Sequence, residues 1–330
     1  MAEPTVLNSW RTPTLKGVAV VLIVLASISS GVRGLTQDQA PATVEHRKGV
    51  VRHPAEESDK IVVDQLRAFR GLSTWIDTYD TDMSVEEQVS IARDAGVNTV
   101  FVQSARESTP GLIHDPQRLA STIEGAHDAG MQVMVWTIPD FEDLAANRER
   151  ALAAMQFTTP RGDTADAFGL DIEVTDIEWA PIRTRRLLQL SRELRTIVGP
   201  DYPMAAIVLA PLQLELNPRW WRDFPYAELA ALYDVTIPMS YSSYRGADAV
   251  TTYEWNRENV LLTRQLAGDE DLPVHLAGGI ADALPNITAF VRAAVAGEVI
   301  GAGLYDLHTT QSQAWATLRV LRHEPTVQDE

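Results

Sequence analysis

Residues 84–105 read SVEEQVSIARDAGVNTVFVQSA, and this stretch predicts a helix over Ser84–Ala95 followed by a strand over Asn98–Ala105. Gly96 stands between them, at the position where a left-handed residue often ends a helix. The apolar run after the glycine is typical of a buried strand. The same order recurs at residues 128–134, DAGMQVM, so that helix, glycine and strand form a repeating unit.

The repeating unit extends from Arg70 almost to the end of the chain and predicts eight strands. We expect these strands at Gly71–Tyr79, Asn98–Ala105, Gln132–Pro139, Phe168–Val174, Pro203–Ala210, Asp234–Tyr241, Pro273–Gly279 and Gly301–Leu307. The intervening helices are expected at Ser84–Ala95, Asp115–Ala129, Asp143–Gln156, Ile182–Val198, Trp220–Leu232, Tyr253–Ala267, Ile287–Ala296 and Gln311–Leu321. Strict alternation implies a parallel sheet, and eight repeats predict a (β/α)8 TIM barrel in a single α/β domain. The alternative, a doubly wound open sheet, usually needs fewer strands, and no glycine-rich phosphate loop follows the first strand here.

The N-terminal part of the chain predicts export of the barrel. Arg11 and Lys16 precede the apolar run at residues 17–29, which has the length of a signal-peptide core. A cleaved signal peptide, an uncleaved signal anchor and a buried helix all stay open. We assign residues 1–35 to this signal peptide or anchor, 36–66 to a flexible linker, 67–323 to the barrel and 324–330 to a tail.

Composition excludes several classes of protein. The formal net charge of −17 argues against a nucleic-acid partner, because phosphate binding needs clustered Lys and Arg. The chain of 330 residues has no cysteine, which excludes disulfides and thiolate catalysis. We expect a monomer that meets the membrane only through its N-terminal segment and is either secreted or anchored at the outer face of the cytoplasmic membrane.

Two carboxylates on the fourth strand are the strongest functional signal. Asp171 and Glu173 lie two residues apart in the run Asp166–Val174, so their side chains point to the same face of the strand. Catalysis in a TIM barrel takes place at the carboxyl ends of the strands. Neighbouring carboxylates separate each other's pKa values, and one of them can then act as a proton donor. Two solvated acids at a strand end, or an ion pair with an arginine, are the alternatives.

Other polar and aromatic residues are predicted to surround this pair at the same end of the barrel. Aromatic rings stack on the apolar faces of sugars, and acids and amides bind hydroxyl groups. The substrate-binding candidates are Tyr241, Trp136, Tyr305, Asp77, Gln103 and Met239. Further residues expected on this rim are Tyr79, Arg106, Asp140, Gln213, Glu215, Tyr244, Asp306 and His308.

The fourth strand resembles that of family 18 glycoside hydrolases, the chitinase-like barrels. Their motif Asp-x-x-Asp-x-Asp-x-Glu corresponds here to Asp166, Gly169, Asp171 and Glu173, so that glycine replaces the second acid. The family's Met-x-Tyr on the sixth strand appears as Met239-Ser-Tyr241, and Tyr305 stands where the eighth strand often carries Trp. A bare Asp-x-Glu on a barrel strand also resembles family 25 lysozymes.

The resemblance to family 18 implies a glycosidase without a protein nucleophile. Glu173 would protonate the glycosidic oxygen, and the N-acetyl oxygen of the substrate would attack. Asp171 would orient the acetamido group, and Tyr241 would donate a hydrogen bond to it. The implied substrate is a polysaccharide containing N-acetylhexosamine, and no cofactor or metal is expected.

Two other functions stay open. A catalytically inactive barrel could bind glycan through Trp136, Tyr241 and Tyr305, and the missing acid at Gly169 favours this alternative. A metal-dependent hydrolase would have to use His275 and His308, expected on adjacent strands with Asp306 close by, but the usual zinc ligand groupings are absent.

Overall fold

A computed structural model of the protein describes residues 65–280 and 283–323. Eight parallel strands close into a barrel in sequence order. They are β1 (Gly71–Ile76), β2 (Thr99–Ala105), β3 (Gln132–Thr137), β4 (Ala167–Ile172), β5 (Met204–Leu209), β6 (Val235–Ser240), β7 (His275–Gly278) and β8 (Gly301–Leu304). The predicted (β/α)8 barrel is confirmed.

Helices connect the strands along the outside of the sheet. They are α1 (Val85–Ala95), α2 (Pro116–Asp128), α3 (Leu144–Met155), α4 (Ala180–Val198), α5 (Pro211–Leu216), α6 (Tyr226–Ala230), α7 (Ala249–Ala267), α8 (Leu284–Ala296) and α9 (Ala314–Leu318). Short 3-10 turns lie at Arg67–Phe69, Ser243–Arg245 and Arg319–Leu321. None of these helices is long and apolar enough to span a bilayer. The predicted signal segment, the linker up to residue 64 and the tail from residue 324 lie outside the described residues.

The connection after β5 differs from the prediction. The predicted helix over Trp220–Leu232 is wrong. Pro225 falls inside that range and has no backbone N–H to donate to a helical hydrogen bond. Pro225 instead caps the short helix α6. The additional helix α5 begins at Pro211 and contains Gln213 and Glu215, which the sequence pattern had placed on the end of a strand.

Alternate residues of each strand face the lumen of the barrel. A Cβ atom added to Gly169 would meet side chains of Met134 and Ile207, so these three positions share the interior. The strand register aligns Trp136 with Gly169 and Asp171 with Ile207, which places both residues on that interior face as well. The sequence thus directs β4's acids inward, whereas Phe168, Leu170 and Ile172 face the helices.

A repeated side-chain hydrogen bond links the residue before three of the even strands, β2, β4 and β6, to the preceding strand. Asn98 accepts a hydrogen bond from the backbone of Leu72, and Asp234 accepts one from Met204. Asp166 accepts a hydrogen bond of 2.7 Å from the backbone N–H of Val133, and its carboxylate also lies 2.9 Å from His127 Nε2. Asp166, the first acid of the motif, therefore has a structural role at the amino end of the barrel.

Candidate functional site

The two acids of the fourth strand lie where the lumen opens at its carboxyl end. Asp171 is the last interior residue of β4, and Glu173 follows directly after the strand. Asp171 is buried, and its Oδ1 atom has no hydrogen-bond partner in the protein. A buried acceptor without a partner is uncommon in folded proteins, and a ligand that donates a hydrogen bond would account for it.

Burial controls the charge of both carboxyl groups. It raises the pKa of Asp171 well above its usual range, and the nearby Glu173 raises this pKa further. The pKa of Glu173 is also raised, first by burial and then by the negative charge of Glu107, whereas Arg106 acts to lower it. The expected source of the Glu173 shift was Asp171. In the structure Asp171 is the more deeply buried member of the pair, and the causes of the shift at Glu173 are burial and the charge of Glu107.

Four aromatic rings form a continuous arc around the remaining wall of the site. Trp136 lies 5.7 Å from Trp75, and Trp75 lies 5.9 Å from Tyr305, measured between ring centroids. Tyr305 in turn lies 6.0 Å from Tyr241. This aromatic arc joins β3, β1, β8 and the end of β6. Trp75 was not among the sequence candidates, although its spacing of two residues from Asp77 could have placed it on the same face.

The two indole rings of this arc are buried and offer no exposed face on which a sugar could stack. Trp136 is only 2% exposed, which leaves no free ring face for a sugar in this structure. The indole nitrogens of Trp75 and Trp136 are buried without hydrogen-bond partners. They share this property with Asp171 Oδ1, so several unsatisfied polar atoms are concentrated at this end of the lumen.

Three other candidates are engaged within the protein. Gln103 accepts hydrogen bonds from the backbone and the hydroxyl of Thr78, both at 3.0 Å, and so holds the loop after β1. Asp77 accepts a hydrogen bond of 2.8 Å from the hydroxyl of Tyr305. Met239 is buried in the hydrophobic core. These contacts show positioning roles, and a direct contact with substrate stays a prediction for each residue.

Tyr241 remains a neutral phenol at the centre of the site. Burial raises its pKa well above the usual range, and the charges of Asp171, Glu173, Tyr244 and Asp306 act in the same direction. A phenol that stays protonated can donate a hydrogen bond to a ligand. This property fits the role that the family resemblance implies for Tyr241.

Gly169 stands in a tightly packed part of the lumen. A Cβ atom at this position would lie 2.8 Å from Ile207 Cδ1 and 3.1 Å from Met134 Cε. An aspartate like that of the family motif therefore does not fit unless these side chains move. Met134 and Ile207 occupy the space that the second acid would need, so the acid chain of the motif is shortened to Asp171 and Glu173.

A buried arginine fixes the loop that follows Glu173. Arg183 donates hydrogen bonds to the carbonyls of Thr175 at 3.0 Å, Ile177 at 2.7 Å and Trp220. Its guanidinium also lies over the ring of Trp221, 4.1 Å from the centroid. These contacts tie the loop after β4 to the segment before α6. No sequence signal distinguished Arg183 from the other arginines of α4.

The two histidines considered as metal ligands lie at opposite ends of the barrel. His275 begins β7 and pairs in register with Gly301, the first residue of β8, whereas His308 follows the carboxyl end of β8. The expectation that they could share a metal is wrong, because adjacent strands bring together only residues at the same height. Their separation removes the ligand pair on which the metal-hydrolase alternative depended.

A cluster of three carboxylates is the group most suited to a cation among the described residues. Oxygen atoms of Asp77, Asp80 and Asp306 lie within 4.8 Å of one another. Burial and the charge of Asp77 raise the pKa of Asp80 to about 6, against the smaller effect of a backbone hydrogen bond. Hydrogen bonds from Tyr305 to Asp77, and from the backbone of Thr309 to Asp306, stabilise the cluster from within the protein.

Comparison with solved structures identifies the barrel as one found in glycoside hydrolases. The spore cortex-lytic enzyme SleL of Bacillus cereus aligns with a TM-score of 0.61 and 9% identity over 78% of this chain and 75% of its own. A chitinase from Bacteroides thetaiotaomicron aligns with a TM-score of 0.57 and 15% identity over 77% and 95%. A family 18 chitinase from Cycas revoluta, solved with allosamidin, aligns with a TM-score of 0.55 and 9% identity over 76% and 98%.

These likenesses concern the fold, since every identity is low. The fold is shared with family 18 chitinases, which agrees with the resemblance of the fourth and sixth strands, while the resemblance to family 25 lysozymes stays a prediction. No protein-family model matches the sequence. No curated protein matches it either.

Proposed function

We propose that the protein is a glycoside hydrolase that cleaves a polysaccharide containing N-acetylhexosamine. The observation that carries the proposal is the pair of carboxyl groups at the carboxyl end of β4, the buried Asp171 and the half-buried Glu173. Both have raised pKa values, and a carboxylic acid that holds its proton near neutral pH is what general acid catalysis requires. The family 18 barrel fold supports the same reaction.

In the proposed reaction Glu173 donates its proton to the glycosidic oxygen as the bond to the leaving sugar breaks. The acetamido oxygen of the substrate attacks the anomeric carbon, and water then releases the product. Asp171 Oδ1, a buried acceptor without a partner, would accept the hydrogen bond of the acetamido N–H. Tyr241, held as a phenol, would donate to the acetamido oxygen.

The tight site around Gly169 bears on how the acids exchange protons. The family motif has a further aspartate at the position of Gly169. Here Met134 and Ile207 fill the space that its side chain would need. Asp171 and Glu173 would therefore have to share the proton between themselves. The apolar wall next to Asp171 is consistent with its raised pKa, since burial is the leading cause.

We also propose that the barrel lies outside the cytoplasmic membrane. The support for this location is the segment of residues 11–29, in which basic residues precede an apolar run. Fractionation of cells that express the full chain tests this part. Recovery of the protein in the cytoplasmic fraction would contradict it.

A substrate screen with the full-length protein tests the hydrolase function. The protein would be incubated with chitin oligomers, peptidoglycan and α-linked glycans, and the products would be identified by mass spectrometry. We expect shorter oligosaccharides from a substrate with N-acetyl groups and none from its deacetylated form. Cleavage of both forms at the same rate would contradict the role of the acetamido group.

A catalytically inactive glycan-binding barrel is the second candidate function. The loss of the motif's acid at Gly169, with the space closed by Ile207 and Met134, favours it. In that case glycan would bind without release of product, and Glu173→Gln would weaken binding. A hydrolase would instead show product formation that Glu173→Gln removes.

A further inference from the structure

Three aromatic side chains remain exposed at the catalytic end of the barrel. Among the described Phe, Tyr and Trp residues, Tyr79, Trp179 and Tyr244 are the ones exposed by more than half, at 60%, 65% and 68%. Tyr79 follows β1, Trp179 follows β4 and Tyr244 follows β6. A single exposed aromatic residue is ordinary, but the collection of all three on one end of the barrel indicates a binding surface.

Each exposed ring belongs to a loop that also carries a residue of the candidate site. Tyr79 lies two residues after Asp77, Tyr244 three residues after Tyr241, and Trp179 six residues after Glu173. The three loops leave the closed sheet at strands one, four and six, so they surround the mouth of the lumen. An eight-stranded ring with about 4.8 Å between tilted strands is roughly 15 Å across, which is wider than a disaccharide.

Two of the rings, those of Tyr79 and Tyr244, pack against a neighbouring side chain, whereas Trp179 is fixed through its backbone. Arg106 lies over Tyr79, 5.0 Å from the ring centroid, and Tyr241 packs edge-on against Tyr244 at 5.9 Å. Trp179 is the N-cap of α4, and its carbonyl accepts hydrogen bonds from Ile182 and Arg183. Supported rings lose little conformational entropy when a ligand stacks on them.

We propose that Tyr79, Trp179 and Tyr244 are sugar-stacking subsites that extend the site across the mouth, so that the ligand is an internal stretch of a polysaccharide. This inference rests on the proposed glycan site and deepens it, because it assigns the length of the ligand. A chain bound on both sides of Glu173 would be cleaved within the polymer and not at its end.

Calorimetric titration of the full-length protein tests the inference without hydrolysis. The Glu173→Gln background would keep the ligand intact, and β-1,4-linked N-acetylglucosamine oligomers of two to six units would be the probes, with mannohexaose as a second hexamer. We expect affinity to increase with length. Tyr79→Ala, Trp179→Ala and Tyr244→Ala should each weaken hexamer binding about fivefold to tenfold and leave disaccharide binding unchanged.

Val320→Ala is the control, because Val320 is as exposed as the three rings, at 68%. It lies after α9, on a segment that packs against the end of α1 and against β1, and so belongs to none of the three loops. The inference is overturned if the three aromatic variants bind the hexamer as the control does, if affinity does not increase with length, or if neither hexamer binds. Failure of the proposed hydrolysis is a separate result: it would appear as absence of product in the substrate screen, with the length-dependent binding retained.

Discussion

The two ends of the barrel lumen differ in how far the protein itself satisfies their buried polar groups. At the amino end, His275 donates through Nδ1 to the carbonyl of Phe69 and accepts through Nε2 from the hydroxyl of Ser73, both at 2.7 Å. At the carboxyl end, Asp171 Oδ1 and the indole nitrogens of Trp75 and Trp136 have no partners in the protein. Thr99 Oγ1, in register with Ser73, also lacks a partner, so the amino end is satisfied at His275 but not throughout. The three atoms at the carboxyl end would be completed by a ligand.

This difference separates stability from function within one channel. A satisfied buried polar group fixes the packing around it, and breaking one of its bonds costs free energy of unfolding. An unsatisfied group costs stability in the unliganded protein and gains its hydrogen bond when a substrate binds. We therefore expect substitutions at the carboxyl end to change activity more than stability, and substitutions at the amino end to do the reverse.

The largest expected effect is at the carboxyl end. Glu173→Gln keeps the shape of the side chain and removes the acid, so turnover should decrease by about 10² to 10⁴. The melting temperature should not decrease, because the pKa of Glu173 is raised by burial and glutamine carries no charge. The measurement is steady-state cleavage of the substrate found in the screen, beside thermal unfolding of the same samples. An equal loss of turnover in Glu215→Gln, an exposed acid on α5, would show a non-specific effect.

The amino end should determine the loss of stability in acid. Burial lowers the pKa of His275 from 6.5 to about 4, although its bond to Phe69 raises it slightly. Between these two values the unfolded chain binds a proton that the folded protein excludes, so stability decreases as pH falls through this range. The loss reaches about 3 kcal/mol at pH 4.

Urea unfolding at several pH values between 7 and 4 measures this effect. In His275→Gln the loss of stability caused by the histidine should disappear. The free energy of unfolding should then depend less steeply on pH than in the wild type. His308→Gln, at an exposed histidine of the other end, is the matched control and should retain the wild-type slope. A slope unchanged in His275→Gln would show that this histidine is not excluded from protonation.

Asp171→Asn should lower activity and stabilise the fold. The folded-state pKa of Asp171 is raised, so its stability contribution is present below about pH 4, the unfolded value, and is lost as pH rises towards the folded value. Asparagine does not ionise, so its contribution to the stability of the fold does not change with pH. We expect the melting temperature to increase by about 2–5 °C at pH 8 and by less at pH 4.5. A larger gain at the lower pH would reverse the sign and contradict the account.

The smallest expected effect concerns the ion pair beside Glu173. Arg106 and Glu107 lie 3.3 Å apart, and they act on the pKa of Glu173 in opposite directions. Glu107→Gln should lower that pKa, so the alkaline limb of the activity profile should move to lower pH. Arg106→Gln should move the limb to higher pH, each by about half a unit. Carbon-13 NMR titration of the Glu173 carboxyl measures the same shifts without substrate, and shifts of the same sign would contradict them.

The sequence by itself determined the barrel and the face that carries the acids. Eight alternating helices and strands predict a closed parallel barrel, and the two-residue period of a strand places Asp171 and Glu173 on one side. These are local properties, since they depend on backbone geometry and on neighbours in the chain. The exception was the region after β5, where Pro225 interrupts a pattern of apolar residues that otherwise looks helical.

The tertiary structure alone decided what surrounds the acids. The burial of Trp136, the contact of Trp75 with Tyr305 and the separation of His275 from His308 each depend on strand register between distant segments. The filling of the space at Gly169 depends in the same way on side chains from β3 and β5. A pKa is likewise set by total burial and by charges from other loops, as Glu107 shows for Glu173, and no spacing within one strand contains that information.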